Sequence, residues 1–391
     1  MQYKRSIQPD LETIVPILIN TWRRFRKEGG PADLLQTREF RGVVAALKTL
    51  QVGLHEEKSF LGKDYFADHE LLGAYLLYPW VIHYQQALSL LGELPIQPKR
   101  VLDVCSGAAP MAFAALRHGA NEVIATDQNT VALELGADIC GRYGLPISVR
   151  QWSCLKQPLP VSGSFDLIIL GHCLEELFPS NTTNWMERQQ KFIDSLLQKL
   201  TPHGFLLIVD SSLVDANRRI LQLRDALVTA GVPVQAPCIW KGACPALQAK
   251  DSPCYAQREL EKPRLVSEMQ RALKINLGSL KMSYLLLRSP KAQWPQLPEE
   301  KLYRIVSPPV ETFQGKRYYL CGSEGKKNLG SHISVHTNET RAFEFLRRGE
   351  LISIENALEK QHSFDIVQGT TLKVEAACGK PIPEIVSEEE Y

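Results

Sequence analysis

From Arg100 to Asp210 the sequence alternates short apolar runs with longer amphipathic stretches. Each run is short enough for one strand, and each longer stretch has apolar residues three and four positions apart, as a helix requires. Strands that alternate with helices predict a parallel sheet covered by helices, the doubly wound α/β class. The predicted strands are Arg100–Val104, Glu122–Thr126, Ser148–Gln151, Phe165–Leu170 and Phe205–Asp210. The predicted helices between them are Met111–His118, Thr130–Tyr143 and Asn184–Leu200.

The segments on either side have other patterns. Residues 1–97 predict an N-terminal helical domain, because the helical spacing recurs in Leu11–Phe25, Val43–Leu54 and Leu71–Leu91. Residues 98–290 would form the Rossmann-like domain, with a Cys- and Pro-rich insertion at 231–262 and a later strand at Met282–Arg288. Residues 300–380 predict a small β-rich C-terminal domain with strands at Tyr303–Val306, Arg317–Cys321, Ser331–His336 and Thr371–Ala376.

Composition sets only broad limits on function. The formal net charge is +2, from 45 Lys and Arg against 43 Asp and Glu, so overall charge neither requires nor excludes a nucleic-acid partner. The first residues lack the pattern of a secretory signal, and no apolar run approaches the roughly 18 residues of a membrane span. We therefore expect a cytoplasmic protein, or a protein of the mitochondrial matrix if the source is eukaryotic, with no membrane partner. Its nine cysteines would stay reduced there.

A loop of small residues follows the first predicted strand. Cys105, Ser106, Gly107 and Ala109 would let backbone N–H groups approach a ligand at the start of the next helix. Asp127 ends the second strand, where a carboxylate accepts hydrogen bonds from both ribose hydroxyls of an adenosine cofactor. A nicotinamide dinucleotide is disfavoured, because the Gly-x-Gly-x-x-Gly motif is absent.

The ends of the other strands complete this predicted edge. Trp152 and Ser153 follow the third strand, where an adenine would lie, and Gly171, His172 and Cys173 follow the fourth, on the reaction side. His172 is a candidate base, and Cys173 is a candidate nucleophile toward a pyrimidine C6. Both residues have a structural alternative, since either side chain would also simply line a pocket.

The stretch from Pro98 to Asp210 resembles class I methyltransferases. That resemblance implies S-adenosylmethionine (SAM) as cofactor, with Asp103 and Gly107 near its methionine end and Asp127 on its ribose. It departs from the usual pattern at Cys105 and Ala109, where glycine is more common, and it lacks the Asn-Pro-Pro-Tyr motif of many amine methyltransferases. The implied cofactor residues are Asp103, Cys105, Ser106, Gly107, Ala109, Asp127, Gln128, Trp152, Ser153 and Gly171.

Four cysteines form a candidate metal site: Cys238, Cys244, Cys254 and Cys321. Four thiolates suit zinc or an iron–sulfur cluster, and their spacing matches neither a Cys-x-x-Cys zinc ribbon nor the radical-SAM cysteine motif. Spacing alone therefore leaves the metal open. The alternative is chance clustering of core cysteines, which is how we interpret Cys140, Cys154 and Cys378.

Successive motifs around these cysteines narrow the alternatives. In kind and in order, these motifs resemble those of the mitochondrial small-ribosomal-subunit assembly methyltransferase-like family and its bacterial relatives. They are Ala236-Pro-Cys, Ala243-Cys-Pro, Pro253–Arg258, Met282–Arg288 and Arg304–Pro309. The resemblance covers most of residues 70–360. It implies a 4Fe-4S cluster on the four cysteines, with zinc as the alternative, and the small ribosomal subunit or its rRNA as partner.

Two classes of function follow. The first is a SAM-binding, 4Fe-4S protein acting on the small ribosomal subunit, as an assembly factor or an RNA methyltransferase, with monomer as the expected state. The alternative is a small-molecule or protein methyltransferase with a structural metal site and no ribosomal role. Clustered cations beside aromatic residues favour RNA, although a solvated hairpin has the same composition. These clusters are Lys316–Tyr319, Lys326-Lys327 and Arg347-Arg348.

Overall fold

The computed structural model describes residues 7–60, 63–248, 253–298, 301–322 and 324–385 of the 391-residue chain. The chain divides into two compact units, and neither is a single continuous stretch. The first unit contains Met1–Leu88, Pro98–Trp185 and Glu259–Leu280. The second unit contains Ser89–Gln97, Met186–Arg258 and Lys281–Tyr391.

Helices occupy the start of the described chain. They are α1 (Gln8–Phe25), α2 (Thr37–Gln51), α3 (His69–Leu77) and α4 (Pro79–Leu91), with short helical turns at Val52–Glu56 and Tyr65–Ala67. The predicted helical pattern is confirmed, except that Leu71–Leu91 is two helices. The chain leaves the helical conformation at Tyr78, because Pro79 lacks an N–H donor and disfavours that conformation in the preceding residue.

A parallel sheet forms the centre of the first unit. Its strands are β1 (Arg100–Val104), β2 (Glu122–Asp127), β3 (Ser148–Gln151) and β4 (Phe165–Gly171), in the order β3-β2-β1-β4. Helices α5 (Pro110–His118) and α6 (Thr130–Arg142) connect them, and the short α7 (Leu174–Leu177) follows β4. The four strands, α5 and α6 match the predicted elements to within one residue at each end, whereas α7 was not predicted. Because the strands are parallel, their carboxyl ends share one edge.

The second unit contributes an antiparallel arrangement. Its elements are α8 (Trp185–Leu197), β5 (Leu200–Ser211), α9 (Val214–Thr229), β6 (Val234–Ala236), α10 (Pro245–Gln248), β7 (Ala256–Arg258) and β8 (Leu280–Arg288). Strand β8 lies between β5 and β6 and is antiparallel to both, and β7 also pairs with β8. Helix α11 (Arg264–Leu273) belongs to the first unit. Residues 249–252 of the Cys-rich segment lie outside the described residues.

A second sheet follows in the C-terminal part of the second unit. Its strands are β9 (Leu302–Ile305), β10 (Val310–Thr312), β11 (Gly315–Gly322), β12 (Gly325–Ser331), β13 (Leu351–Glu355), β14 (Leu358–Lys360), β15 (Ser363–Ile366) and β16 (Thr371–Ala376). They pair in the order β14-β15-β12-β11-β9-β13-β16, and β10 pairs with β11. Buried aromatic and aliphatic residues, including Tyr303, Tyr318 and Phe364, form the core of this sheet.

One predicted strand of this sheet is wrong. Ser331–His336 was expected from its alternation of polar and apolar residues, but β12 ends at Ser331. Val335 is 80% exposed, so the alternation does not mark a buried face. None of the helices among the described residues has the length and apolarity to cross a membrane.

Candidate functional site

The loop between β1 and α5 follows an unusual backbone path. Cys105, Gly107 and Ala109 have φ angles of 55°, 53° and 61°, all in the left-handed region. Glycine adopts this region freely, whereas other residues lose roughly 1–2 kcal/mol there. The loop therefore keeps a glycine-type conformation even where Cys105 and Ala109 replace the usual glycines.

Two carboxylates fix this loop. Asp103 is 1% exposed and accepts a hydrogen bond from the Ala112 N–H at 2.8 Å. Asp127 accepts from the Gly107 N–H at 2.9 Å with Oδ2 and from the Asn129 N–H at 2.9 Å with Oδ1. The acid predicted to hold a ribose thus already contacts the predicted cofactor loop.

The loop and its carboxylates form an acidic environment. Burial raises the pKa of Asp103 to about 8, against the lowering effect of the Ala112 hydrogen bond, and the charge of Asp127 raises it further. Burial also raises the pKa of Asp127, more than its backbone hydrogen bonds lower it. A cationic ligand would relieve both carboxyl groups, because a nearby positive charge favours the ionised form.

The residues predicted near an adenine lie beside Asp127. The Trp152 N–H donates to the Asp127 carbonyl at 2.8 Å, and the indole Nε1 donates to the Gln157 carbonyl at 3.0 Å. The Ser153 N–H donates to Gln157 Oε1 at 3.2 Å. The Gln128 carbonyl accepts from the Gln151 amide at 3.2 Å. These bonds hold the loop after β3 against the end of β2.

Ser106 also belongs to the predicted cofactor loop. Its N–H donates to the Thr126 carbonyl at 2.9 Å, which joins the loop to β2. Its hydroxyl is buried and has no hydrogen-bond partner among the described residues. A buried hydroxyl without a partner costs free energy, so this atom is suited to meet a ligand.

The residues predicted to lie on the reaction side are at the end of β4 and directly after it. Gly171 packs closely against Met111, since a Cβ there would lie 2.2 Å from Met111 Sδ and would require that side chain to move. The His172 ring stacks on His83 with centroids 3.9 Å apart, and its Nε2 lies 3.0 Å from Gln86 Oε1. His172 therefore has a fixed orientation, and neither contact could be read from its own neighbours in sequence.

Three cysteines meet at the same edge. Cys105 Sγ lies 3.9 Å from Cys154 Sγ. Hydrogen bonding with Cys154 lowers the pKa of Cys105, but hydrogen bonding with Cys173 and burial raise it well above its usual value. Cys105 is therefore a neutral thiol at neutral pH, in keeping with its prediction as a small loop residue. Cys154 was predicted to be a bystander, yet it adjoins this loop.

Side chains from the N-terminal helices also reach the loop, and the sequence pattern did not predict them. A Cβ on Gly107 would lie 3.4 Å from Tyr75 Oη and 4.0 Å from Phe66 Cζ. The Phe66 and Tyr75 rings pack edge to face at 5.0 Å, and Tyr65 lies 4.8 Å from Phe66. Their aromatic composition was the available signal, but nothing local indicated which loop they would cover.

The four predicted metal ligands all belong to the second unit, and their charges influence one another. Cys238 follows β6, Cys244 precedes α10, Cys254 precedes β7 and Cys321 lies in β11. Burial raises the pKa of Cys254, and the charges of the other three thiols raise it further. Burial likewise raises the pKa of Cys321, to about 12, with contributions from Cys238 and Cys244.

Polar side chains hold the backbone at two of these cysteines. Asn217 donates from Nδ2 to the Cys254 carbonyl at 2.7 Å and accepts from its N–H at 3.3 Å. Asp225 accepts from the Cys244 N–H at 3.0 Å. The surrounding backbone is thus fixed independently of the thiols.

Three buried arginines surround the cysteines. Burial raises the pKa values of Cys238, Cys254 and Cys321, and it outweighs the opposing effect of the arginine charges. The charge of Arg224 lowers the pKa of Cys238, and the charge of Arg304 lowers the pKa values of both Cys238 and Cys321. The charge of Arg348 lowers the pKa of Cys254. Arg304 Nη2 and Arg348 Nε are buried without a hydrogen-bond partner among the described residues. Within those residues, no group of three or more His, Cys, Asp or Glu has the arrangement of a metal-ion site.

The predicted RNA-contacting cations are mostly engaged within the second unit. Lys316 pairs with Glu344 at 2.7 Å, Arg317 pairs with Asp365 at 3.1 Å, and Lys327 pairs with Glu359 at 2.6 Å. Arg348 is buried over the Tyr255 ring at 4.0 Å. Tyr319 is 43% exposed, and Lys326 Nζ lies 4.7 Å from its ring centroid. Tyr319 and Lys326 thus form a partly exposed pair that joins two of the predicted clusters.

Strand order and loop geometry together define the class. A parallel β3-β2-β1-β4 sheet, an antiparallel β8 between β5 and β6, and a left-handed loop joined to an acid after β2 make this a class I methyltransferase-like fold. Residues 81–343 match the family model described as mitochondrial small ribosomal subunit Rsm22, and the chain belongs to this family. The match confirms the family predicted from the sequence, while the iron–sulfur cluster stays a prediction.

The chain is also similar to two curated relatives and to one solved structure. The chain is 28% identical to ribosomal protein L11 methyltransferase of Syntrophotalea carbinolica over 124 residues, 32% of this chain and 36% of that protein. It is 33% identical to the protein of that name from Geobacter sulfurreducens over 93 residues, 24% of this chain and 28% of that protein. The structure of a ribosomal protein L11 methylase from Lactobacillus delbrueckii aligns over 53% of this chain and 76% of its own, with 16% identity and a TM-score of 0.33. The chain thus spans about a third of the length of the two curated relatives.

Proposed function

We propose that this protein binds SAM at the β1–α5 loop and serves the small ribosomal subunit or its rRNA as an assembly factor. The observation that carries the cofactor part is the left-handed backbone at Cys105, Gly107 and Ala109. Strained backbone persists where the fold overdetermines it, and it is common at ligand sites. The ribosomal part rests on membership of the Rsm22 family. This partner places the protein where small subunits assemble, in the bacterial cytoplasm or the mitochondrial matrix.

Methyl transfer to RNA is the second candidate activity. The observation that favours it is the fixed orientation of His172, whose Nε2 lies 3.0 Å from Gln86 Oε1 at the end of β4. Methyl transfer requires mainly that a nucleophile be aligned with the sulfonium methyl, and a fixed imidazole is suited to accept the proton that the nucleophile loses. Transfer of a labelled methyl group from SAM to small-subunit rRNA, lost in His172→Gln, tests this activity.

We also propose a 4Fe-4S cluster on Cys238, Cys244, Cys254 and Cys321. The unpartnered, buried nitrogens of Arg304 and Arg348 support an anionic group here, since buried donors are rarely left unpaired. Four thiolates around a dicationic core carry a net charge of about −2, whether the core is a cluster or zinc. Arg224, Arg304 and Arg348 would offset that charge.

The cluster would act mainly as a structural link. When bound, it would supply four metal–thiolate bonds that join the segment of Cys238–Cys254 to β11, and a site for one-electron transfer. Asn217 and Asp225 hold the backbone at Cys254 and Cys244, so two ligands are partly positioned before metal binding.

Binding measurements test the proposed function directly. Purified full-length protein should bind SAM in calorimetry and should sediment with small ribosomal subunits. Binding to the subunits should weaken as salt is raised, because phosphate contacts release counterions. Tyr319→Ala with Lys326→Ala should reduce that salt dependence by about one contact, relative to Lys191→Ala as a remote surface control. Absence of SAM binding would refute the cofactor part, and salt-independent or absent sedimentation would refute the ribosomal part.

A further inference from the structure

Helix α2 of the first unit carries a row of positive charges on its solvent side. Arg38, Arg41 and Lys48 are all exposed. Their spacings of three and seven residues place them on one side of the helix, over a length of about 15 Å. The opposite side of α2, which includes Val43 and Leu47, is buried. We call Arg38, Arg41 and Lys48 the cationic stripe.

The cationic stripe has no counter-charge. Within the residues that the structure describes, none of its three side chains has an ion pair or a hydrogen bond. Glu39, the one acid in the sequence of α2, is buried and accepts a hydrogen bond from Arg23 Nη2 at 2.7 Å. It therefore offsets a buried cation of α1, and the exposed side of α2 is purely positive.

Cations at the end of α1 show the opposite arrangement. Arg24 pairs with Asp138 at 3.5 Å, and Arg26 pairs with Glu70 at 2.8 Å. Both acids belong to the first unit, so they reduce the positive potential there. Because the cationic stripe has no such partners, its potential is directed toward the solvent and toward any anion that arrives from it.

Helix stability does not explain the cationic stripe. Helix α2 begins at Thr37, so Arg38 lies in its first turn, where the positive end of the helix dipole disfavours a cation. An acid at this position would stabilise the helix instead. A residue that is locally unfavourable and makes no contact within its own unit is suited to an external partner.

We propose that the cationic stripe contacts the phosphodiester backbone of small-subunit rRNA. This inference rests on the proposed function, since it requires the ribosomal partner, and it adds a contact surface in the first unit. Three cations in a row complement a chain of phosphates and hold it without reading its bases. The stripe precedes residues 81–343, so the family match does not assign it.

An anionic membrane is a poorer match for the cationic stripe. Amphipathic helices bind membranes by inserting their apolar side below the lipid headgroups. In α2 that side is already packed within the first unit, and Val43 and Leu47 are fully buried. Only the charged side is available to a partner, which favours RNA.

Sedimentation of full-length protein with small ribosomal subunits, over a series of potassium chloride concentrations, tests this inference. The triple variant Arg38→Gln, Arg41→Gln and Lys48→Gln should bind at least about tenfold more weakly at low salt, since three phosphate contacts are lost. The slope of log K against log salt should become shallower by about 2 to 3, because fewer counterions are released. An unchanged slope would overturn the inference.

Arg38→Glu separates a binding role from a structural role. It should weaken binding to the subunits, while the melting temperature of the variant should be unchanged or slightly higher, because an acid suits the first turn of a helix. Arg24→Glu is the matched control. It changes the net charge equally, but Arg24 already pairs with Asp138, so the salt dependence should stay as in the wild type. A lower melting temperature for Arg38→Glu, with binding lost in proportion, would overturn the inference.

The outcomes separate the possible failures. If the wild-type protein does not sediment with the subunits, the ribosomal part of the proposed function fails, and the inference fails with it. If the wild-type protein and the triple variant sediment equally, only the inference fails. Wild-type binding to vesicles of phosphatidylserine and phosphatidylcholine, lost in the triple variant while subunit binding persists, would assign the cationic stripe to a membrane and overturn the RNA contact.

Discussion

The cofactor loop of the first unit and the cysteine group of the second unit have opposite electrostatic surroundings. The loop is bordered by the buried Asp103 and by Asp127, whose pKa values are raised by burial. The cysteines are surrounded by the buried cations Arg224, Arg304 and Arg348. Burying a charge is costly unless a partner offsets it, so each region is suited to a ligand of the opposite sign. The comparison favours a cation at the loop and an anionic metal–thiolate group at the cysteines.

The largest effect is expected when the proposed metal site of the second unit loses one ligand. Cys254→Ser should lose essentially all bound metal from anaerobically prepared protein, because a missing thiolate opens the cluster. Cys378→Ser is the matched control, since Cys378 is also a half-buried thiol of the second unit and was predicted to be a bystander. Metal analysis of both variants checks this. Equal metal in the two would contradict the assignment of Cys254.

Arg304→Met tests whether an anionic group at the cysteines offsets a buried positive charge. In metal-loaded protein it should lower the free energy of unfolding by about 3 kcal/mol, because it removes one partner of a buried charge pair. In metal-free protein the loss should be much smaller, since the Nη2 donor has no partner there among the described residues. Urea unfolding of both forms measures the difference. Equal losses in the two forms would show that Arg304 stabilises only its own carbonyl partners, those of Pro237 and Gly349.

Asp103→Asn tests the acidic side through pH. The unfolded carboxyl loses its proton above about pH 4, whereas the folded carboxyl keeps it until about pH 8. Stability from Asp103 is therefore present below pH 4 and is lost as pH rises toward 8, by about 2–3 kcal/mol between pH 5 and pH 7. Asp103→Asn should flatten this part of the profile in urea unfolding, with Asp166→Asn as the control. An unchanged slope would rule out a raised pKa.

Asp127→Asn is expected to have the smallest effect of the four. It should weaken SAM binding roughly tenfold to thirtyfold, because the amide keeps an acceptor for the Gly107 N–H but loses the negative charge. Calorimetry at constant ionic strength measures the change, and far-ultraviolet circular dichroism confirms the fold. Undiminished affinity would mean that the second carboxylate of the loop is structural.

The two regions also differ in how much the sequence predicted. The β1–α5 loop, its strands and Asp127 were found because their residues are close in sequence and follow a recurring strand–loop–helix pattern. The four cysteines were grouped by residue type, but only the family resemblance implied a 4Fe-4S cluster on them, because their spacing matches no known metal motif. The arginines around the cysteines were not predicted, and neither was the approach of Phe66 and Tyr75 to Gly107. Their contacts depend on tertiary packing, which periodicity does not encode.

Iron and acid-labile sulfide per chain, measured on full-length protein purified without oxygen, test the central contrast most directly. We expect about four irons and four sulfides per chain, with little zinc. Zinc alone would keep a metal–thiolate site among the arginines but contradict the cluster. Absence of any bound metal would contradict an anionic metal–thiolate group at the cysteines. Only the cofactor loop would then have a proposed ligand.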